Sequence, residues 1–153
     1  MSEDTLMPSE VRRRVLTQHR EIETMLAELE QGAAKLVEGG AIVEKVKRAA
    51  YALRGILELH LRFEERYMVP AISEADGFGP ERARHLHSEH AEQRAHLDQL
   101  VHSILEAEAP EAIQGGVSKL AEMLRADIEE EEQHYVNDKL LRDDIIPTDT
   151  FGG

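Results

Sequence analysis

The sequence contains no cysteine and no tryptophan, and it has only three tyrosines and three phenylalanines in 153 residues. Without cysteine, disulfides, thiolate metal sites and thiol catalysis are excluded. A cytoplasmic location is expected, because disulfide-free chains fit a reducing compartment. No apolar run approaches the roughly 20 residues of a membrane span, and the acidic start of the chain lacks the basic and apolar regions of a secretory signal. We therefore expect no membrane association.

Positive charge is also scarce. Lysine and arginine number 18 against 31 acidic residues, which gives a net charge of −13. Most of the excess negative charge lies in residues 76–153. Such a surface repels phosphate backbones, so no nucleic-acid partner is expected. The short basic run Arg12-Arg13-Arg14 is interpreted as a solvated helix face, with a docking patch as the alternative.

Apolar residues are frequent, and they recur every three or four positions in four long stretches, the spacing of amphipathic helices. The predicted helices cover residues 9–38, 41–72, 80 to just before 110, and 111–141. Ser9 is the expected N-cap of the first helix, and Pro80 is well placed to begin the third. Gly115-Gly116 is expected to break the first turns of the fourth, so that its firm part begins near Val117.

Short connections between these helices favour antiparallel neighbours. The sequence therefore predicts an all-α fold, an up-down-up-down antiparallel four-helix bundle. The bundle is expected to occupy residues 9–142. Residues 1–8 form an N-terminal extension, and residues 143–153 form an irregular C-terminal tail.

His60 and Glu64 lie four residues apart on the second predicted helix, so their side chains stack on one face. A buried glutamate is costly unless a cation meets it. An imidazole and a carboxylate held in this way can bind one metal ion or bridge two. The pair therefore predicts a metal site.

All four helices place ionisable residues at one depth of the bundle. Given a rise of 1.5 Å per residue, they share a layer roughly 10 Å thick. The layer contains His19, His60, Glu64, His90, Asp127, Glu131 and His134. A single core histidine is more often structural than metal-binding, but three helices each supply one here. Because so many buried charges are very unfavourable alone, we expect a metal ion or a pair of them. Imidazole and carboxylate ligands suit iron, manganese or zinc.

Several members of this set have alternatives. Glu23, four residues after His19, is a candidate ligand or an exposed residue on a helix flank. Asp127 is a ligand or an ordinary surface acid. His134 is a ligand or a hydrogen-bonding partner of one. Phe63 and Tyr67 are expected to pack beside the site, shape the pocket for a small ligand and control access of water.

Three segments resemble the hemerythrin-like, or HHE cation-binding, domain family. They are Gln18-His19-Arg20-Glu21-Ile22-Glu23, then His60-x-x-x-Glu64-Glu65 with Val69-Pro70, and Glu89-His90-Ala91-Glu92. The resemblance extends from about Val11 to Leu141. It implies a four-helix bundle around a non-haem di-iron centre, with His19, His60, Glu64 and His90 as ligands and Glu64 as the bridge.

The last two helices depart from the family pattern. Asp127-x-x-x-Glu131 stands where the family usually has a histidine and a carboxylate, and Leu86 occupies the place of a second histidine four residues before His90. Added carboxylates favour ferric over ferrous iron. The departure therefore favours oxidation chemistry, reaction with peroxide or nitric oxide, oxygen sensing or iron binding over reversible oxygen carriage.

The leading hypothesis is a dimetal protein that binds or reacts with oxygen, peroxide or nitric oxide, with oxidoreductase or peroxidase-like activity as an open question. The second is an iron-binding or sensing module without turnover, whose protein partner the sequence does not identify. A ferritin-like oxidase ranks lower, because only Glu131-x-x-His134 fits its motif. The fourth is a metal-free helical adaptor.

Overall fold

The computed structural model describes residues 5–144, and five α-helices form its framework. They are α1 (Pro8–Ala33), α2 (Gly40–Phe63), α3 (Val69–Ser73), α4 (Gly79–Glu106) and α5 (Pro110–His134). A 3₁₀ turn, Leu36–Glu38, precedes α2, and a π-helical turn, Glu64–Met68, joins α2 to α3. The predicted extension and tail lie partly outside the described residues, at 1–4 and 145–153.

The prediction of an all-helical, four-helix bundle is confirmed. Helix α1 packs against α2 and α5, and α4 packs against the same two helices, so the four long helices form a closed ring of antiparallel neighbours. Helix α3 continues the direction of α2 and packs against α4. Within residues 5–144, none of the helices has the length and apolar character needed to cross a membrane.

The predicted start of α1 was wrong in one detail. Pro8 occupies the first turn and Ser9 does not cap the helix. Instead, the carboxylate of Asp143 accepts hydrogen bonds from the Ser9 backbone N–H at 2.8 Å and from the Ser9 hydroxyl at 2.6 Å. An anion is favourable at this position, because the first N–H groups of a helix have no partner within it. A residue 134 positions away thus performs the capping.

Two helices end earlier than predicted. Helix α1 stops at Ala33, and the chain reaches α2 through the 3₁₀ turn and Gly39. Gly39 has a φ of 143°, which glycine can adopt without steric cost. Helix α5 stops at His134, after which Tyr135, Val136 and Leu141 fold back into the core. Their apolar side chains resemble a continuing helix in sequence, although the backbone is irregular.

Gly115-Gly116 does not break α5, contrary to expectation. A Cβ at Gly116 would lie 2.8 Å from a side-chain carbon of Ile104 on α4. Glycine at this position therefore permits a close approach of two helices, and packing outweighs its low helix propensity.

The π-helical turn interrupts what was predicted as one helix over residues 41–72. Its defining hydrogen bond runs from the Val69 N–H to the Glu64 carbonyl, five residues back. Pro70 follows directly, and a proline clashes with the carbonyl four residues before it in a regular α-helix. The wider turn gives the proline ring room, and π turns of this kind are frequent at functional sites.

The core consists of two apolar clusters at different levels of the bundle. The larger includes Ile22, Leu26, Leu53, Leu57 and Leu124. The smaller includes Val15, Met68, Ile72, Leu86 and Tyr135. In α1, α4 and α5, the ionisable residues identified above lie in sequence between members of the two clusters.

Gly79 allows the turn between α3 and α4. A Cβ there would overlap the backbone carbonyl oxygens of Ile72 and Ser73, whereas a Cβ at Gly77 in the same loop meets nothing within 4 Å. We expect Gly79→Ala to lower the free energy of unfolding by about 1–3 kcal/mol, as overpacking usually does, and Gly77→Ala to leave it nearly unchanged. Urea denaturation of both variants is the measurement. Equal stability of the two would contradict the packing described here.

Candidate metal centre

A layer of imidazoles and carboxylates lies between the two apolar clusters. His19 (α1), His60 (α2) and His90 (α4) are 2%, 6% and 1% exposed, and Glu64 at the start of the π-helical turn is 0% exposed. From α5, Glu131 adds a carboxylate whose side chain is 11% exposed. Four helical segments and the π turn therefore bring five polar side chains into a nearly water-free space.

Glu64 stands at the middle of this layer. Its Oε1 lies 3.2 Å from Nε2 of His60 and 3.3 Å from Nε2 of His90. Its Oε2 lies 3.8 Å from Nε2 of His19. All three imidazoles thus direct the same nitrogen, Nε2, toward one carboxylate.

Glu131 approaches two of the same Nε2 atoms that face Glu64. Its Oε1 is 3.0 Å from Nε2 of His19, and its Oε2 is 3.7 Å from Nε2 of His90. In His19, His60, Glu64 and Glu131, one donor atom from each residue lies within 4.8 Å of the other three. Four such donors around one point can coordinate a single cation.

The outer nitrogen of each histidine contacts a further polar side chain. Nδ1 of His60 lies 2.7 Å from the amide oxygen of Gln18. Nδ1 of His19 lies 2.9 Å from the carboxylate of Glu132. Nδ1 of His90 lies 3.3 Å from the carboxylate of Glu65. An Nδ1–H that donates to an oxygen leaves the Nε2 lone pair free. This is the usual arrangement around metal-binding histidines, where the second contact fixes the ring and its tautomer.

Three buried atoms of the layer have no hydrogen-bond partner, namely both carboxylate oxygens of Glu64 and Nε2 of His90. A buried polar group without a partner costs about 1–3 kcal/mol, and a charged group costs more. The two Glu64 oxygens are acceptors, and Nε2 of His90, 3.3 Å from Oε1, becomes one when its proton leaves. A cation between them would satisfy all three, so the residues present fit a metal ion.

The pKa values describe how the layer balances its charge without a cation. Burial lowers the pKa of His60 to about 4, so this imidazole is neutral at pH 7. Burial also opposes protonation of His90, but Glu131 and Glu64 outweigh it and raise its pKa to about 10. The pKa of His19 is raised in the same way, with Glu131 as the larger contributor. Protons on His90 and His19 therefore occupy the electrostatic role that a metal cation would fill.

Two spaces adjoin the layer. A cavity of about 10 Å³ touches His19, His60, Gln93, Asp127 and Glu131, and its remaining walls are the apolar side chains of Ile22, Leu57, Leu124 and Ile128. A larger pocket of about 370 Å³ opens toward solvent between α4 and α5. Its walls include His90 and Glu131, so it reaches the layer from outside.

The predicted site residues divide into three groups. The structure brings together His19, His60, Glu64, His90 and Glu131. Asp127 is half-buried at the edge of the layer, where burial raises its pKa to about 6 and the neighbouring carboxylates of Glu130 and Glu131 add to the shift. Glu23 is exposed, which agrees with the surface alternative.

His134 does not share the core stripe, and that expectation was wrong. It is the last residue of α5 and is exposed, with its ring 6.4 Å from that of Tyr135. Phe63 and Tyr67 are half-buried, with ring centroids 4.9 Å apart, and they pack against the smaller apolar cluster. Neither lines the two spaces that adjoin the layer, which gives no support to their predicted role at the ligand pocket.

Sequence reasoning missed the outer partners Gln18, Glu65 and Glu132. Each is the immediate chain neighbour of a residue in the layer, but each contacts a histidine on a different helix. Glu132 belongs to an acidic run, residues 129–132, and such a run is typical of a solvated helix face. The available signal was position, since a residue next to an inward-facing ligand points sideways to the adjacent helix.

Fold and site together define a class, the helical bundles that hold a cation with buried histidine and carboxylate side chains. The family model of the hemerythrin HHE cation-binding domain matches residues 11–137. The chain belongs to this family, and its buried cluster of His and Glu side chains suggests a metal site. Searches of curated proteins and of solved structures found no match to the chain.

Arg94 supports the layer from outside, through a bidentate ion pair with Glu65 at 2.7 and 2.8 Å. These bonds, with a smaller contribution from His90, lower the pKa of Glu65 from 4.5 to about 2. The ionised form therefore contributes stability that is fully present above pH 4.5 and is lost as pH falls toward 2. We expect Arg94→Met to weaken that pH dependence and to cost roughly 1 kcal/mol at pH 7, since the pair is partly solvated.

Urea unfolding at pH 7, 4.5 and 3 measures this effect. Arg54→Met is the matched control, because Arg54 pairs with Asp98 at 2.8 Å on the exposed surface, away from the layer. The control should lose less stability and keep the pH dependence of the unmodified protein. Identical behaviour of the two variants would contradict a supporting role for Arg94.

Proposed function

We propose that this protein holds a non-haem dimetal centre, most naturally di-iron, that binds or reacts with a small ligand such as oxygen, peroxide or nitric oxide. The observation that carries the proposal is Glu64, a fully buried carboxylate with no hydrogen-bond partner and three imidazole Nε2 atoms directed at it. A carboxylate in such a position is suited to bridge two cations. Family membership supports cation binding by this layer.

His19, His60, Glu64 and Glu131 would hold one ion, because their donor atoms are already grouped. His90 would hold the second, together with the remaining oxygens of Glu64 and Glu131. Asp127 is the nearest additional carboxylate from α5 and would complete that position or accept a proton there. Imidazole and carboxylate donors suit iron, with manganese or zinc as further candidates.

The protein's own residues would orient and protect the centre. Gln18, Glu65 and Glu132 hold the three imidazoles through Nδ1, which keeps Nε2 available. The cavity beside His19 and His60 has room for roughly one water-sized molecule. Its apolar walls would exclude further water and select ligands of two or three atoms. When bound, a redox-active ion supplies electrons and an open coordination position for such a ligand.

A second candidate function is an iron-binding or sensing module without turnover. It is supported by the position of the layer between two apolar clusters, where occupancy by metal would directly affect the stability of the bundle. A metal-free adaptor is disfavoured by Glu64, whose buried carboxylate has no hydrogen-bond partner. A ferritin-like oxidase is disfavoured by the exposed position of His134, the second half of its motif.

Metal binding tests the shared part of both candidates. We expect about two Fe²⁺ ions per chain under anaerobic conditions, and about 2.7 kcal/mol of added stability per occupied site at a free metal concentration 100 times the dissociation constant. Glu64→Gln should lose most of that stabilisation, because an amide is a poor bridge. Glu23→Gln is the control, since Glu23 is exposed. Elemental analysis and thermal unfolding with and without chelator are the measurements, and a metal-free unmodified protein would contradict the proposal.

Reactivity separates the two candidates. Anaerobic iron-loaded protein is mixed in turn with oxygen, hydrogen peroxide and nitric oxide, and the absorption spectrum and ligand consumption are followed. A small-ligand function predicts a spectral change with at least one of them, abolished in Glu64→Gln. A module without turnover predicts metal-dependent stability and no consumption of oxygen or peroxide.

A further inference from the structure

The pocket between α4 and α5 and the small cavity inside the bundle share three lining residues, Gln93, Asp127 and Glu131. On the outer side, the pocket of about 370 Å³ continues to His85, Glu89, His96 and Glu130. On the inner side, the cavity ends at His19 and His60. The two spaces are therefore adjacent, and Gln93 and Asp127 stand where one meets the other.

Carboxylates predominate among the side chains that line the outer pocket. Five of its nine lining residues are carboxylates (Glu89, Glu92, Asp127, Glu130 and Glu131), and none is lysine or arginine. By contrast, the other described surface depressions contain Arg66 or Arg125. A concave surface of one charge focuses the electric field and raises the local concentration of counter-ions. This pocket therefore attracts cations more strongly than those depressions.

An independent observation points to a ligand at its floor. His90 lines the pocket, is 1% exposed, and has its Nε2 buried without a hydrogen-bond partner. Without its proton, this imidazole nitrogen is a donor atom for a cation. The acidic walls thus lead to a buried nitrogen ligand and do not form an isolated patch of surface acids.

We propose that this pocket is the loading route of the metal centre, which takes up hydrated divalent cations. The outer carboxylates of Glu89 and Glu130 collect the ion, which passes Gln93 and Asp127 and reaches the imidazoles. This inference rests on the proposed metal centre and concerns the rate of loading, whereas the buried ligands set the final affinity.

The rate of cation uptake tests the route. Stopped-flow absorption with Co²⁺ as the probe gives association and dissociation rates, and equilibrium titration gives stoichiometry. We expect Glu89→Gln/Glu130→Gln to slow association several-fold, up to about tenfold at low ionic strength, with unchanged stoichiometry. The deficit should shrink in high salt, because screening weakens attraction at a distance.

Glu106→Gln/Glu108→Gln is the matched control. It removes the same two charges from exposed residues, and Glu106 lies about 24 Å along α4 from His90 by helical rise. This variant should load at the rate of the unmodified protein. Equal slowing of both double variants would mean that net charge alone sets the association rate, which would overturn the route. No slowing of either variant would also overturn it.

Gln93→Leu tests the junction separately. An apolar side chain there offers no polar contact to a passing ion, so we expect association and dissociation to slow together while the dissociation constant stays within about twofold, which is about 0.4 kcal/mol. A changed affinity with unchanged rates would overturn the assignment of Gln93. If the unmodified protein binds no Co²⁺ at all, the metal centre itself fails; if it binds and all variants load equally fast, only the route fails.

Discussion

The structure depends on one unfavourable placement, the carboxylate of Glu64 in a space closed to water. Moving a carboxylate out of water costs several kcal/mol even after the protein relaxes. The three histidines can offset that cost, and the cost of the second buried carboxylate Glu131, only if the long helices bring all these groups to one level. The register of each helix is therefore constrained by this layer, and the apolar clusters on either side hold the helices in that register.

The support of the layer follows a simple rule of helix geometry. Gln18 precedes His19 on α1 but contacts His60 on α2, Glu65 follows Glu64 but contacts His90 on α4, and Glu132 follows Glu131 on α5 but contacts His19. Adjacent residues on a helix differ by about 100° in direction. One residue of each pair thus faces the centre while its neighbour faces the next helix. The same turn of helix supplies a side chain of the buried layer and the support for a histidine on another helix.

Much of this arrangement could be predicted from spacing alone. The periodicity of three and four assigned four helices and placed His19, His60, Glu64, His90 and Glu131 at one depth, because helical rise converts sequence distance into height. The helix ends were beyond this method, since the apolar residues after His134 also pack in the core without helical backbone. Spacing also could not predict the outer partners, because they depend on contacts between helices. It could not predict the π-helical turn, because that turn depends on a local widening of the helix at Pro70.

The polar layer also divides the core of the bundle into the two apolar clusters, which differ in size. Local opening of a protein usually involves contiguous cooperative units. The layer lies between the two clusters, so we expect compensation of the Glu64 charge to set how strongly they are coupled. With the Glu64 charge compensated, we expect the bundle to open as one unit. Without compensation, the smaller cluster, which contains Tyr135 and Leu141, can open first, and the state of the centre becomes visible as a change in the cooperativity of the whole fold.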